Sequence, residues 1–265
     1  SLYSSENIYL LELMDNAVEH TTIIQANQQY YALPDVQPKA ILIETTRFED
    51  NKLYFPQVEG SDHWYWASMS NGQTHTFPIN LPMLTAGDAI IRLELWSNTE
   101  ASGNPDHHII IRVNDQEILD RNWDGKGGQL FEAVIPMGTL VQGDNQINIQ
   151  IPGDTQATAE VIWINWVEVS FPRLAMAQDN RLRLIAEDRA YSISGFGGEV
   201  HIYDVTDGNQ VTLDNVINST GNPLIIKTAD GETYYIVGDG GYSIANSISP
   251  IIRTPDLRAE IQAAE

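Results

Sequence analysis

The sequence predicts an all-β protein made of two tandem sandwiches. A jelly-roll (galactose-binding-like) β-sandwich is expected over 39–173, followed by a small immunoglobulin-like β-sandwich over 174–250. Three observations predict this. Apolar and polar residues alternate with a period of two along most of the chain, the period of a half-buried strand. Turn signals such as Gly87-Asp88, Gly103-Asn104-Pro105, Gly143-Asp144 and Pro152-Gly153-Asp154 separate the alternating runs. Hydrophobic residues make up 42% of the chain, enough for packed cores despite 36 acidic against 14 basic residues.

The first 38 residues form a lead-in. Ile8, Leu10 and Glu12 share one strand face and Tyr9, Leu11 and Leu13 the other, without clean alternation. The segment is read as the remnant strand of a preceding domain. Ser1-Leu2 carries neither an initiator Met nor a secretory leader and reads as the trimmed start of a fragment.

Strands of the jelly roll are expected near 40–48, 75–80, 128–136 and 160–171. The clearest lie between these. Ala89, Ile91, Leu93 and Leu95 alternate with Ile90, Arg92, Glu94 and Trp96. Ile109, Ile111 and Val113 alternate with His108, Ile110, Arg112 and Asn114, and Ile147, Ile149 and Ile151 with Asn148 and Gln150. That is roughly eight strands, the number of a jelly roll. The run 160–171 is apolar on both faces at its start, with Val161, Trp163, Val167, Val169 and Phe171 on one and Ile162, Ile164 and Trp166 on the other. Pro172 is expected to close it, and Ile162, Ile164 and Trp166 are expected to meet a neighbouring segment or domain. Seven short strands are expected in the second sandwich, at 182–187, 190–195, 199–204, 210–213, 223–227, 232–237 and 241–245. The remaining 251–265 form a linker and helix, with Thr254 as cap and Pro255 at its first position, directed toward a missing domain.

Several classes of function are excluded by composition. The chain has no cysteine, hence no disulfide framework, no Cys-ligated zinc and no thiol nucleophile. A net charge of −22 argues against nucleic acid as a partner, since phosphate binding needs a basic face. No run of about 18 apolar residues provides a membrane-spanning helix.

Candidate chemistry is sparse. Gly241-Tyr242-Ser243-Ile244-Ala245 approaches a nucleophile elbow, but no helix pattern follows it, and a strand edge is the better reading. His107 and His108 are strand neighbours and point to opposite faces. Asp62-His63-Trp64-Tyr65-Trp66 holds a histidine without a nearby nucleophile and reads as a loop entering a strand with its aromatics in the core. Asp115, Asp120 and Asp124 supply hard oxygen ligands that suit Ca2+, or a plain polar turn. Trp96, with Arg92 and Arg112, suggests a sugar-binding platform on a wet sheet face, because an indole stacks on a pyranose ring; the alternatives are a solvated face or a domain contact.

Three stretches together resemble a known family. They are Glu44-Thr45-Thr46-Arg47-Phe48-Glu49 with Asp62-His63-Trp64-Tyr65-Trp66; Ile111-Arg112-Val113-Asn114-Asp115 with Trp123-Asp124-Gly125; and Ile151-Pro152-Gly153-Asp154-Thr155 with Trp163-Ile164-Asn165-Trp166-Val167-Glu168-Val169 and Phe171-Pro172-Arg173. Their order resembles the non-catalytic region preceding the catalytic domain in bacterial relatives of the gingipain-type cysteine peptidases, including peptidase-like components of a secretion system. The run Val200-His201-Ile202-Tyr203-Asp204-Val205-Thr206-Asp207 resembles the small sandwich that follows in such proteins. The resemblance implies an extracellular or cell-envelope protein, with a peptidase domain next in the parent chain. The catalytic His and Cys of that family have no counterpart here.

The sequence thus reads as accessory β-domains that present or target an adjacent peptidase domain, with possible contacts to surface polysaccharide or protein. The rival is a carbohydrate-binding module of a secreted protein. A free-standing hydrolase ranks last.

Overall fold

A computed structural model describes residues 22–25, 37–56, 58, 62–207, 210–219 and 223–242. The lead-in strand over Ile8–Leu13, the serine of the 241–245 motif and the helix expected after Thr254 lie outside these residues. No helix occurs among the described residues; eighteen strands do. Strand β1 (Thr22–Gln25) precedes both sandwiches. The first sandwich contains β2 (Ile41–Glu49), β3 (Leu53–Tyr54), β4 (Trp64–Tyr65), β5 (Ala67–Ser70), β6 (Thr74–Leu81), β7 (Ala89–Ser97), β8 (His107–Val113), β9 (Gln116–Trp123), β10 (Gly127–Ile135), β11 (Gly143–Gln150) and β12 (Val161–Leu174). The second contains β13 (Arg181–Ile185), β14 (Arg189–Ile193), β15 (Gly198–Asp207), β16 (Gln210–Ser219), β17 (Leu224–Thr228) and β18 (Thr233–Gly238).

In the first sandwich one sheet runs β10-β7-β12-β2, with β5 pairing the start of β12, and the facing sheet runs β6-β11-β8-β9. The alternating residues decide which faces meet. Ile91, Leu93 and Leu95 of β7 pack with Ile109, Ile111 and Val113 of β8 and Ile147 and Ile149 of β11, all of them buried. Each such side chain contributes about 1.5–3 kcal/mol by leaving water. Truncating Leu93, at the centre of this layer, to Ala would cost about 2–5 kcal/mol.

Strand β9 was not expected as a strand. Asn114 and Asp115 both have positive φ (47° and 69°), the geometry of a two-residue type I′ hairpin turn between Val113 and Gln116. Strand β9 is a polar edge strand in which only Leu119 is buried, so no alternation announces it.

Strand β12 departs from expectation twice. First, Pro172 does not close it: the strand continues to Leu174, with Pro172 opposite Ile43. The Pro172 carbonyl accepts from Thr85 N at 3.0 Å. The amide that Pro172 lacks would therefore point past the end of β7, and no bond to β2 is lost. Second, a bulge interrupts its pairing with β7, because Ile164 lies opposite Leu95 and Trp166 opposite Glu94. Asn165 is the extra residue, and beyond it the faces exchange. Ile162, Ile164, Val167, Val169 and Phe171 all enter the core. Ile162 and Ile164 therefore do not share a face with Trp166 as the sequence suggested. They are fully buried within their own sandwich, which corrects their reading as a domain contact.

The second sandwich has a sheet ordered β1-β16-β15-β18-β13 and a facing pair β14-β17. Strand β1 of the lead-in adds to it in parallel, Thr22 opposite Gln210. Leu182, Leu184, Tyr191, Ile193, Ile202 and Ile236 form its core, joined by Leu42 from β2. Lys39 also bridges to Tyr191, donating to Ala190 O at 2.9 Å and accepting from Ser192 N at 2.9 Å. Arg173 lies at the seam between the sandwiches and is 4% exposed. Its guanidinium donates to Met176 O at 2.7 Å and pairs with Glu44.

Candidate functional site

The register assigns the outer face of the β10-β7-β12-β2 sheet. One row across it reads Gly128, Trp96, Trp163; the next Leu130, Glu94, Trp166, Glu49; the next Glu132, Arg92, Glu168, Arg47. The bulge at Asn165 is what brings Trp163 and Trp166 onto this same outer face. Residues 53–56, 58 and 62–65 lie at the Trp163 end. Phe55 stacks on Trp163 with centroids 3.8 Å apart and planes 6° apart, and Tyr65 tilts against the same ring at 5.7 Å. Val58, Tyr65 and Trp163 form a small core here, with Trp96 packed at its margin. Burial, with the Asp62 and Glu94 charges, pushes the Tyr65 phenol up to about 12.

The third row is a charge ladder across four strands. Arg92 Nε donates to Glu132 at 2.7 Å and Arg92 Nη1 to Glu168 at 3.2 Å, while Arg47 stands 3.9 Å from Glu168. The hydrogen bonds to Glu132 and Glu168 raise the Arg92 pKa above its ordinary value. Arg47 also lies over the Trp166 ring, 4.1 Å from its centroid.

This geometry corrects the sugar platform drawn from sequence. Trp96 is half-buried beside Trp163, and Arg92 is committed to two carboxylates. Arg112 is on the other sheet, held by Gln150 at 2.7 Å and Glu117 at 3.1 Å. Strands β7 and β8 belong to opposite sheets, so Trp96 and Arg112 face away from each other across the sandwich. An exposed aromatic on the first sandwich is instead Tyr54, on the β3–β4 pair. Tyr54 is 51% exposed and stands 5.0 Å from Trp64 and 6.0 Å from His63, centroid to centroid. The sequence flagged His63 and Trp64, but nothing in it marked Tyr54.

The three aspartates do not converge. Asp115 is at the β8–β9 turn and Asp124 follows the far end of β9, about 30 Å of extended strand away at roughly 3.3 Å per residue. Asp120, between them, binds His108 Nε2 at 3.0 Å. They do not fit one Ca2+, and no group of three or more His, Asp or Glu among the described residues is placed to hold a metal ion.

The two histidines do point to opposite faces, and each stands between two carboxylates. His108 makes contacts of 2.6 Å to Asp154 and 3.0 Å to Asp120. Burial lowers its pKa, but those two bonds and charges outweigh it, and the pKa is raised. The hydrogen bond from His108 lowers Asp154. His107 is fully buried, stacked on Trp123 at 5.0 Å, with Asp106 and Glu160 each 3.5 Å from its ring nitrogens and its Nε2 donating to Thr99 O at 3.0 Å. Its pKa too is raised: burial opposes the shift, and Glu160, Thr99 and Asp106 prevail. Glu160 also accepts from His108 N at 2.8 Å, and Asp106 from Ala101 N and Gly125 N. This cluster fastens the loops at one end of the sandwich. The partners of both histidine rings are carboxylates and, for His107, the Thr99 carbonyl, all of them acceptors.

No family model matches the sequence, and no curated protein matches it. Among solved structures, dimeric latent PorU from Porphyromonas gingivalis matches with a TM-score of 0.63 at 12% identity, over 81% of this chain. The chain spans 22% of PorU's length. The CBM36-1 domain of a multidomain xylanase from the hindgut metagenome of Trinervitermes trinervoides matches 48% of this chain and 96% of its own, with a TM-score of 0.31 and 12% identity. A carbohydrate-binding module CBM36 in complex with calcium and xylotriose matches 47% of this chain and 98% of its own, with a TM-score of 0.29 and 12% identity. The PorU likeness extends beyond one sandwich and is a likeness of fold.

Proposed function

We propose that the chain forms non-catalytic accessory β-domains of a secreted, gingipain-like cysteine peptidase relative, and that it presents or targets an adjacent peptidase domain of the same parent chain at the cell envelope or outside the cell. The observation that carries this reading is the PorU-like fold over 81% of the chain. The chemistry agrees with it. The chain has no cysteine, and the His107 and His108 rings are engaged by carboxylates. The test is to express the polypeptide that the gene encodes after Glu265 and titrate it against this chain by calorimetry. A one-to-one complex with a domain bearing the peptidase His and Cys supports the reading; a downstream sequence without them, or one that does not bind, refutes it.

A carbohydrate-binding role is the second reading. It is favoured by the exposed Tyr54, with Trp64 and His63 beside it, as an aromatic surface for a sugar ring.

A further inference from the structure

Strand β10 is an edge of the first sandwich: among the described strands it pairs only with β7, in an unbroken register from Gly127 to Ile135. Which of its main-chain groups face outward follows from the next pair along. Asn98 N donates to Val161 O at 2.9 Å, so Asn98 and every second residue before it, Trp96, Glu94, Arg92 and Ile90, turn N–H and C=O toward β12. The residues between them bond β10 through Gln129, Phe131, Ala133 and Ile135. Leu130, Glu132 and Val134 therefore turn their main-chain groups outward, and no donor or acceptor among the described residues meets them. No proline, lysine or bulge blunts this edge.

The same three residues carry side chains on the outer face of the sheet. Leu130 is 62% exposed and Val134 58%, with Glu132 midway between them and a repeat of about 7 Å. On the inner face Phe131 and Ala133 are only partly buried at the margin of the core. The charge ladder across the outer face alternates Arg47, Glu168, Arg92, Glu132, and so stops on a carboxylate at the open edge. Glu94, opposite Leu130, adds a carboxylate with no ion pair among the described residues. A further strand that continues the alternation brings a cation. A second copy of β10 brings the opposite: the register that matches Leu130 with Val134 sets Glu132 against Glu132, and two chains of net charge −22 repel, which disfavours a second copy as occupant.

We propose that the β10 edge binds an extended segment of another polypeptide in which a basic residue stands between two aliphatic ones at alternate positions, and that this segment adds as an antiparallel strand. Every described pairing within the two sheets of this sandwich is antiparallel. The lysine or arginine faces Glu132 and prolongs the ladder, and the aliphatic residues two positions to either side face Leu130 and Val134. The residues between them turn inward and cover Phe131 and Ala133. This reaches beyond the accessory role, and neither proposal depends on the other.

The test is fluorescence anisotropy of a labelled heptapeptide, threonine–valine–alanine–lysine–alanine–valine–threonine, titrated with the whole chain. Saturable binding is expected, weakened about fivefold by glutamate in place of the lysine. Leu130→Pro removes an outward N–H and no bond to β7, and should weaken binding about tenfold. Methylating the peptide amides of the lysine and the two valines, which face β10, should abolish binding. In the complex, hydrogen exchange should slow at the amides of Leu130, Glu132 and Val134, while those of Phe131 and Ala133, already bonded to β7, should change little. Absence of saturable binding, equal binding of the methylated peptide, or no response to Leu130→Pro in a variant of unchanged melting temperature would overturn the proposal. Equal affinity for the glutamate peptide would overturn the basic specificity. Self-association of the chain that the peptide competes away would reassign the edge to a second copy and overturn the proposal too.

Discussion

The Asn165 side-chain amide donates to the Asp62 carboxylate at 3.0 Å, tying the bulged residue of β12 to the chain just before β4. Asp62 also accepts from Trp64 N at 3.0 Å, so one carboxylate anchors both β4 and the bulge. The bulge puts Trp163 and Trp166 outside and Ile164 and Val167 inside. Deleting Asn165 removes the face exchange and forces one of these sets to the wrong side. Loss of near-ultraviolet circular dichroism is expected for the deletion. Asn165→Ala, which keeps the residue count, should retain that signal and lose about 1 kcal/mol through the broken hydrogen bond. Equal behaviour of the two variants would contradict this account of the bulge.

The histidine pairs set a pH dependence. The folded-state pKa of His108 lies above its usual value near 6.5, so its contribution is complete below that value and is lost as pH rises through the folded pKa. Asp154 is lowered, so its contribution is complete above its usual 3.8 and is lost as pH falls through its folded pKa. The gap in melting temperature between the native chain and His108→Gln should be widest at about pH 5 to 6 and narrow toward alkaline pH. A gap independent of pH would contradict the ion-pair assignment.

Calcium should not stabilise the chain through the aspartates of the β8–β9 hairpin. Asp115 and Asp124 flank opposite ends of β9, and Asp120 binds His108. A ligand that binds only the folded form raises the melting temperature with its concentration. A flat melting curve against added Ca2+ is expected. A rise that Asp120→Asn or Asp124→Asn removes would contradict the geometry.

If a sugar binds, the exposed residue should carry the contact. Retention on polysaccharide should fall in Tyr54→Ala and persist in Trp96→Ala, whose side chain is half-buried beside Trp163. The reverse order, measured by affinity electrophoresis, would return the site to Trp96.

Strand content and the core were legible in the sequence because apolar residues at every second position leave little choice of face. Ile91, Leu93, Leu95, Ile109, Ile111 and Ile147 are all buried as their spacing required. The candidate site was less legible, for three physical reasons. A bulge has no compositional mark, so the face change at Asn165 was hidden. Placing Trp96 and Arg112 together required knowing which sheet each strand joins, and β7 and β8 join different ones. Strand β9 has a polar edge sequence, so its aspartates resembled a loop.

The most direct test of the central claim, that this chain contributes architecture and binding rather than catalysis, is hydrolysis of a fluorogenic peptide library by the purified chain. The account predicts a rate indistinguishable from buffer. Peptide turnover that co-elutes with the folded chain and disappears when it is unfolded would contradict it.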